Sequence, residues 1–215
     1  MKRTLLINVA RLLGWVMHQI YPMSMEKYVT TLFAMFNAFR IVPGLKSAGK
    51  AAKIGSGISL IGAQNISLGD NVSIGKNMVL TAWNKHGKHT FTPEIIIGSN
   101  TQIGRDCHIT AIDSIHIGDN VLMGMKITIT DNSHGKPEFE SLAVPPAIRP
   151  LYSKGKVHID DGVWVGDKAT ILPGVTIGKN AIIGANSVVT KNVQPNSIVG
   201  GNPARVIKIM SQNNE

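Results

Sequence analysis

An all-β solenoid, made of short strands wound into stacked triangular coils behind an N-terminal α-helical segment, is the fold this sequence predicts. Three observations point to it. From about residue 54 onward, apolar residues return every six positions. Between them lie turn formers, as in "GDN", "GKN" and "GSN". Aromatic residues make up 5% of the chain against 22 glycines in 215 residues, which suits many short strands and tight turns better than a helical bundle.

The chain begins "MKRTLLINVARLLGWVMHQIY". The basic start and apolar run suggest a secretory leader, but Asn8 and Arg11 interrupt the run and no small-residue cleavage site follows. The same interruptions leave it too broken to span a bilayer. The next segment, "SMEKYVTTLFAMFNAFRI", reads as an amphipathic helix. Ser24 can serve as N-cap, and Val29, Leu32, Phe33, Phe36 and Phe39 fall at helical spacing. Residues 1–50 are therefore expected to form a helical segment that packs on the body of the protein or on a neighbouring subunit. A second reading places its Lys and Arg side chains on a membrane surface as a peripheral contact.

The solenoid is expected over residues 51–209, with a flexible tail at 210–215. Its period is legible in three runs: Leu68, Ile74 and Leu80; Ile97, Ile103 and Ile109, then Ile117, Met123 and Ile129; and Ile159 to Val189 in steps of six. Four residues after each comes a second small or apolar residue, such as Val72, Met78, Thr101, Cys107, Ile127 or Ala181. Each unit is one very short strand plus one turn, whose Gly, Asn and Asp accept the backbone angles of a sharp corner. Three units close a coil, about six coils are expected, and each coil buries its aliphatic side chains against its neighbours above and below. On this pattern Cys107 is a packed core thiol. His108, His116 and His158 precede inward aliphatics, so they point outward and read as solvated surface residues.

One cysteine permits no internal disulfide, which fits a reducing, cytoplasmic setting. The formal charge of +9 favours an anionic partner. Basic runs interleaved with aromatics are missing, so nucleic acid is not expected.

Two stretches break the ladder: "TAWNKHGKHTFTPE", 81–94, and the longer loop 131–156 that follows "ITIT". A regular coil can release irregular chain only at its corners, and such excursions commonly carry function. The second opens with His134 among small polar residues.

"VWVGDKATILPGVTIGKNAIIGANSVVTKNVQPNSIVGGNPARVIK", 163–208, resembles the C-terminal signature of the hexapeptide-repeat acyltransferases. The "ITDNSHG…VPPAIRP" loop is similar to that of the subgroup that O-acetylates lipopolysaccharide and capsule sugars. The resemblance implies a left-handed coil, an exception to the usual right-handed crossover. It also implies a homotrimer with active sites between subunits, and acetyl-CoA as acyl donor in the groove between two prisms. Carried over residue by residue, His134 stands at the catalytic histidine. Trp164, Gly166, Asp167 and Ala185 match positions near the thioester and pantetheine arm. Thr190 and Lys191 match positions near the nucleotide end, and Arg205 and Lys208 match basic positions near the CoA phosphates. Many relatives have histidine where this chain has Asn132.

The chemistry implied is transfer of an acetyl group to a sugar hydroxyl of a surface polysaccharide or its precursor. A hydroxyl is a poor nucleophile until its proton is taken, and a histidine side chain, with an ordinary pKa of about 6.5, can accept it. No side chain reads as a covalent nucleophile, so direct attack on the thioester is expected, with a backbone N–H holding the oxyanion. Asp131 or a backbone carbonyl could orient the imidazole. Asp131, Asn132 and Trp83 are the candidate acceptor contacts. The 81–94 excursion, with Trp83, His86 and His89, reads equally as a sugar platform or a structural flap. No metal is expected. Three rival readings remain: an amino-sugar N-acetyltransferase, a metal-dependent carbonic anhydrase on the same coil, and a non-catalytic scaffold.

Overall fold

The computed structural model describes residues 2–211. Met1, residues 212–215 of the expected tail and the side chains of Lys2 and Met23 lie outside the described residues.

Two helices lead: α1, Lys2–Ile20, and α2, Met23–Ile41. The chain then enters three sheets in strict rotation. Ser47–Ala48 joins the first, Lys53–Ile54 the second and Ser59–Ile61 the third, before Ile66–Leu68 returns to the first. This cycle repeats to Val188–Val189, and the six-residue spacing is the length of one strand plus one corner. The first and third sheets hold six strands each, all parallel; the second holds eight and ends in the antiparallel hairpin Ser197–Gly200 with Arg205–Ile209.

The aliphatic ladder fills the interior. Ile97, Ile117, Ile159 and Ile177 stack at the end of successive first-sheet strands, each fully buried. The following inward position is buried too, including Val72, Cys107, Ile127 and Ala181. Burial pushes the Cys107 thiol above its ordinary pKa. Where that position is polar, the hydroxyl finds a partner inside: Thr101 Oγ1 donates to the Gly118 carbonyl at 2.8 Å and accepts the Val121 N–H at 3.1 Å.

Corners carry the strain of the winding. Asn71, Asn100, Asn120, Asn180 and Asn196 all have φ near +57° (55° to 58°), where Asn is tolerated better than most residues. Their amides also tie coil to coil: Asn71 Nδ2 donates to Asn100 Oδ1 at 3.0 Å, and Asn180 Nδ2 to Asn196 Oδ1 at 3.2 Å. Gly69, Gly98, Gly118 and Gly178 precede the first four of these corners, where coils approach closely.

Three expectations change. Ser24 does not cap α2: the helix starts at Met23 with Pro22 as N-cap, extended and without a side-chain hydrogen bond. Proline disfavours helical angles at the residue before it, so the break falls at Tyr21–Pro22 and Ser24 lies inside the first turn. The large apolar residues of α2 are not its packed face. Ala38 is buried, with Ala34, Asn37 and Ile41 half-buried, while Leu32, Phe33, Phe36 and Phe39 are exposed. Small side chains let α2 lie close on strand Lys53–Ile54. Lastly, His116 and His158 are outward but not fully solvated. Their strands pair in register, which brings the two Nδ1 atoms to 3.0 Å in a half-buried contact. Burial, then the neighbouring His158, lowers the His116 pKa against the opposing pull of Asp160, Asp161 and Asp119.

A Cβ added at Gly98 would lie 2.5 Å from the Gly118 carbonyl carbon and oxygen. That neighbour is backbone of the next coil and cannot rotate away. Gly98→Ala should therefore lower unfolding free energy by about 1–3 kcal/mol, read as a shifted urea midpoint.

Candidate active site

Both ladder interruptions leave from the third sheet. Strand Val79–Ala82 runs into the hairpin Lys85–His86 and His89–Thr90; strand Thr128–Thr130 runs into the pair Asn132–His134 and Leu151–Ser153. One third-sheet strand, His108–Ala111, lies between them. Because they depart at the same corner, the two excursions lean over the same outer face and meet. The His86 and His134 rings lie edge to face, their centroids 5.5 Å apart.

Beneath them is a cavity of about 630 Å³. Its floor is the outer face of the third sheet, where Thr81, Thr110 and Thr130 form one cross-strand row and Val79, His108 and Thr128 the next. Trp83 and His86 wall one side; Asn132, His134 and Leu151 wall the other. Desolvation holds the His108 pKa below its ordinary value. Thr81 is 3% exposed, and its Oγ1 has no hydrogen-bond partner among the described residues. A buried hydroxyl of this kind is unusual in a folded protein. His134 also lines a second cavity of about 510 Å³ on its far side, with Lys136, Phe139 and Arg149. The exposed imidazole thus stands between two spaces.

Of the expected acceptor contacts, Trp83 and Asn132 line the first cavity. Asp131 does not. It is fully buried, and its carboxylate accepts the Ile112 N–H at 2.9 Å, the Asp113 N–H at 2.8 Å and Asn132 Nδ2 at 3.0 Å. Burial raises its pKa, while Asn132 and those backbone donors pull the other way. Among the described residues it makes no hydrogen bond to His134. Its role is to pin the turn of the preceding coil at the root of the loop, because the strand's alternation turns its side chain inward.

The expected CoA-side residues lie elsewhere. Trp164 is about half exposed on the outer face of the second sheet, in register with Leu122 and Ile182. Lys208, paired with Ile198, extends the same row. At the following corner Gly166 stacks on Ala185, and Asp167 Oδ1 accepts the Met125 N–H at 2.8 Å. Lys191 and Arg205 share a small cavity of about 160 Å³ near the last coil; neither is ion-paired among the described residues. Thr190 is half-buried beside it. The third sheet thus carries His134, and the second carries Trp164 and Lys208.

His86 was not singled out as a partner of His134 by sequence. The available signal was that both excursions follow a third-face strand, which counting hexads reveals. His86 and His89 stand three residues apart on the first excursion. The two pair across their hairpin, and no group of three or more His, Cys, Asp or Glu side chains suited to a metal ion gathers among the described residues.

A coil of six-residue units wound through three parallel sheets is the form of a hexapeptide-repeat protein. The comparisons agree. The family "Bacterial transferase hexapeptide (six repeats)" matches residues 156–191, and "Hexapeptide repeat of succinyl-transferase" matches residues 94–131. WbbJ of Escherichia coli K12, named for O-acetyl transfer in lipopolysaccharide biosynthesis, is 34% identical over 148 residues, 67% of this chain and 71% of WbbJ. The galactoside O-acetyltransferase of the same organism is 37% identical over 122 residues, 52% of this chain and 55% of the relative. A Vibrio cholerae hexapeptide-repeat acetyltransferase, solved with acetyl coenzyme A, superposes with a TM-score of 0.56 at 29% identity, covering 67% of this chain and 71% of that one. The chain belongs to the hexapeptide-repeat acyltransferase family.

Replacing Asp131 by Ala would leave the Ile112 and Asp113 N–H groups without their acceptor. The variant is expected to lose about 2–3 kcal/mol of stability, measured by denaturant unfolding, while retaining acetyl-CoA binding.

Proposed function

We propose that this protein transfers the acetyl group of acetyl-CoA to a sugar hydroxyl of a surface polysaccharide or its precursor, with His134 as general base. One observation carries the reading: the His134 imidazole stands between two cavities, one of them floored by threonine hydroxyls and walled by Trp83. That is the placement required of a base that must reach an acceptor and a donor together. The relatives above, one named for O-acetyl transfer in lipopolysaccharide biosynthesis, one for galactoside O-acetylation and one solved with acetyl coenzyme A, support the same substrate classes.

The steps balance without a covalent enzyme intermediate. A neutral His134 ring nitrogen takes the hydroxyl proton as the acceptor oxygen attacks the thioester carbon. The tetrahedral oxyanion is held by a backbone N–H. Its collapse breaks the C–S bond, and the CoA sulfur leaves with the proton from the imidazolium. Trp83 and the threonine rows hold the acceptor by ring contact and hydrogen bonds, with Thr81 and Asn132 lining the same cavity as His134.

The active unit is a homotrimer of left-handed coils. His134 and Trp164 lie over different sheets of one prism, so a site that uses both must draw them from neighbouring subunits. Gly166, Asp167 and Ala185 then border the pantetheine arm. Thr190, Lys191, Arg205 and Lys208 meet the nucleotide end, where Lys191 and Arg205, without an ion-pair partner among the described residues, suit phosphate. In this reading residues 51–209 are the catalytic domain, residues 1–50 are accessory, and the enzyme works in the cytoplasm where acetyl-CoA is made.

The decisive experiment is CoA release from acetyl-CoA with a panel of free and lipid-linked sugars, amino sugars included. His134→Ala should lower kcat by about 100-fold or more with acetyl-CoA binding retained. Equal turnover in both proteins would remove His134 from the chemistry. Turnover on amino sugars alone would move the acceptor to an amine. Thr81→Val, nearly isosteric, should raise the acceptor KM by about tenfold, with the KM for acetyl-CoA unchanged.

A further inference from the structure

The surface left unexplained is the N-terminal one. Every described side chain from Arg3 to Tyr21 is exposed, so no other element among the described residues covers α1. One face of α1 presents Leu5, Val9, Leu13, Val16 and Ile20, at steps of three and four residues and with exposures of 37% to 69%. The opposite side carries Asn8, Arg11, His18 and Gln19, with Trp15 among them. After Tyr21–Pro22, α2 adds Tyr28, Leu32, Phe36 and Phe39, again at helical steps and all more than 60% exposed. Two consecutive helices thus leave their large apolar residues bare, a surface that in a soluble protein marks an interaction site.

Charge decides the occupant. Residues 2–41 hold Lys2, Arg3, Arg11, Lys27 and Arg40 against one carboxylate, Glu26. A second copy would set Arg3 and Arg11 against their own equivalents, with no acidic side chain on α1 to pair them. A bilayer of anionic lipid accepts both features: the apolar face sinks to the boundary of the acyl chains while the guanidinium groups meet the headgroups. Crossing is a different matter, since no described helix is long and apolar enough to cross a membrane. We infer that α1 and the outer face of α2 dock this protein flat on an anionic membrane surface. The inference does not rest on the sugar-acetylation reading. Where both hold, the docked enzyme meets acceptors that are themselves lipid-linked.

The test uses full-length protein co-sedimented with vesicles of phosphatidylcholine alone and of phosphatidylcholine with phosphatidylserine. Binding to the anionic vesicles is expected, with weaker binding to neutral ones and a decline with added salt. Arg3→Gln with Arg11→Gln should weaken binding to anionic vesicles by about fivefold per residue. Leu13→Glu with Phe36→Glu should abolish it. Both positions are exposed, so the thermal transition of the β-sheet body, followed by circular dichroism, should stay in place. Absent binding by the natural protein, or undiminished binding by the Leu13→Glu, Phe36→Glu variant, overturns the inference. So does equal binding to neutral and anionic vesicles combined with a lower oligomeric mass in that variant, which would give the face to a second copy.

Discussion

Inter-coil registry is the constraint on which the rest of this structure depends. Each strand of the three-sheet rotation is two to four residues long and cannot persist alone. It is held because its backbone pairs with the coils above and below, and because its inward aliphatic lies on the equivalent residue of each neighbour. An inward position such as Ile117, fully buried between Ile97 and Ile159, is therefore fixed by two contacts at once. Corners follow from the same demand. If every coil must present the same residue at the same height, each turn must keep to a set length, and a residue with left-handed backbone angles, most often asparagine, turns the corner within it.

Registry also dictates where chemistry can sit. Extra residues inserted within a strand would shift every side chain beyond them out of its stack. Inserted at a corner, they leave the ladder intact. Both long excursions use the corner that follows the third sheet, and their shared origin brings His86 to His134. Asp131 shows how the join is made firm. It is the last residue before the loop, and its buried carboxylate takes the N–H groups of the turn one coil earlier. The loop thus starts from a fixed point, which limits how far His134 can wander above its threonine floor.

The same logic separates what could be read in the sequence from what could not. The ladder was legible because its period is local: six residues carry the whole pattern, and Leu68, Ile97 or Val165 needs no distant partner to be recognised as inward. The position of His134 on a corner loop was legible for the same reason, as a break in that period. The His86 contact was not, since it depends on how two hairpins lean. Nor was Asp131's inward turn, because alternation continues one residue past the strand and nothing in "ITDNS" marks where it stops. For α2 the pattern misled: Leu32, Phe33, Phe36 and Phe39 have the spacing of a buried stripe, yet Ala34 and Ala38 make the contact. Periodicity identifies an apolar face without saying what covers it.

That distinction bears on how the two halves of the chain relate. The coil buries its inward apolar residues and keeps mixed outer faces, with Ser67, His116 and Thr176 outward on the first sheet, threonines on the third, and Leu122, Trp164 and Ile182 on the second. Of the two helices, α2 seats on the coil through small residues and turns its large ones away, and α1 leaves its large ones bare as well. A segment that existed only to cap the core would need little more than Ala38, Ile41, Val42 and Leu45, which already close the first coil. The large apolar residues beyond that requirement stay exposed, and exposed apolar side chains carry an aggregation hazard. Their arrangement on two successive helices, beside arginines with almost no acidic partners, fits a surface built to be covered from outside.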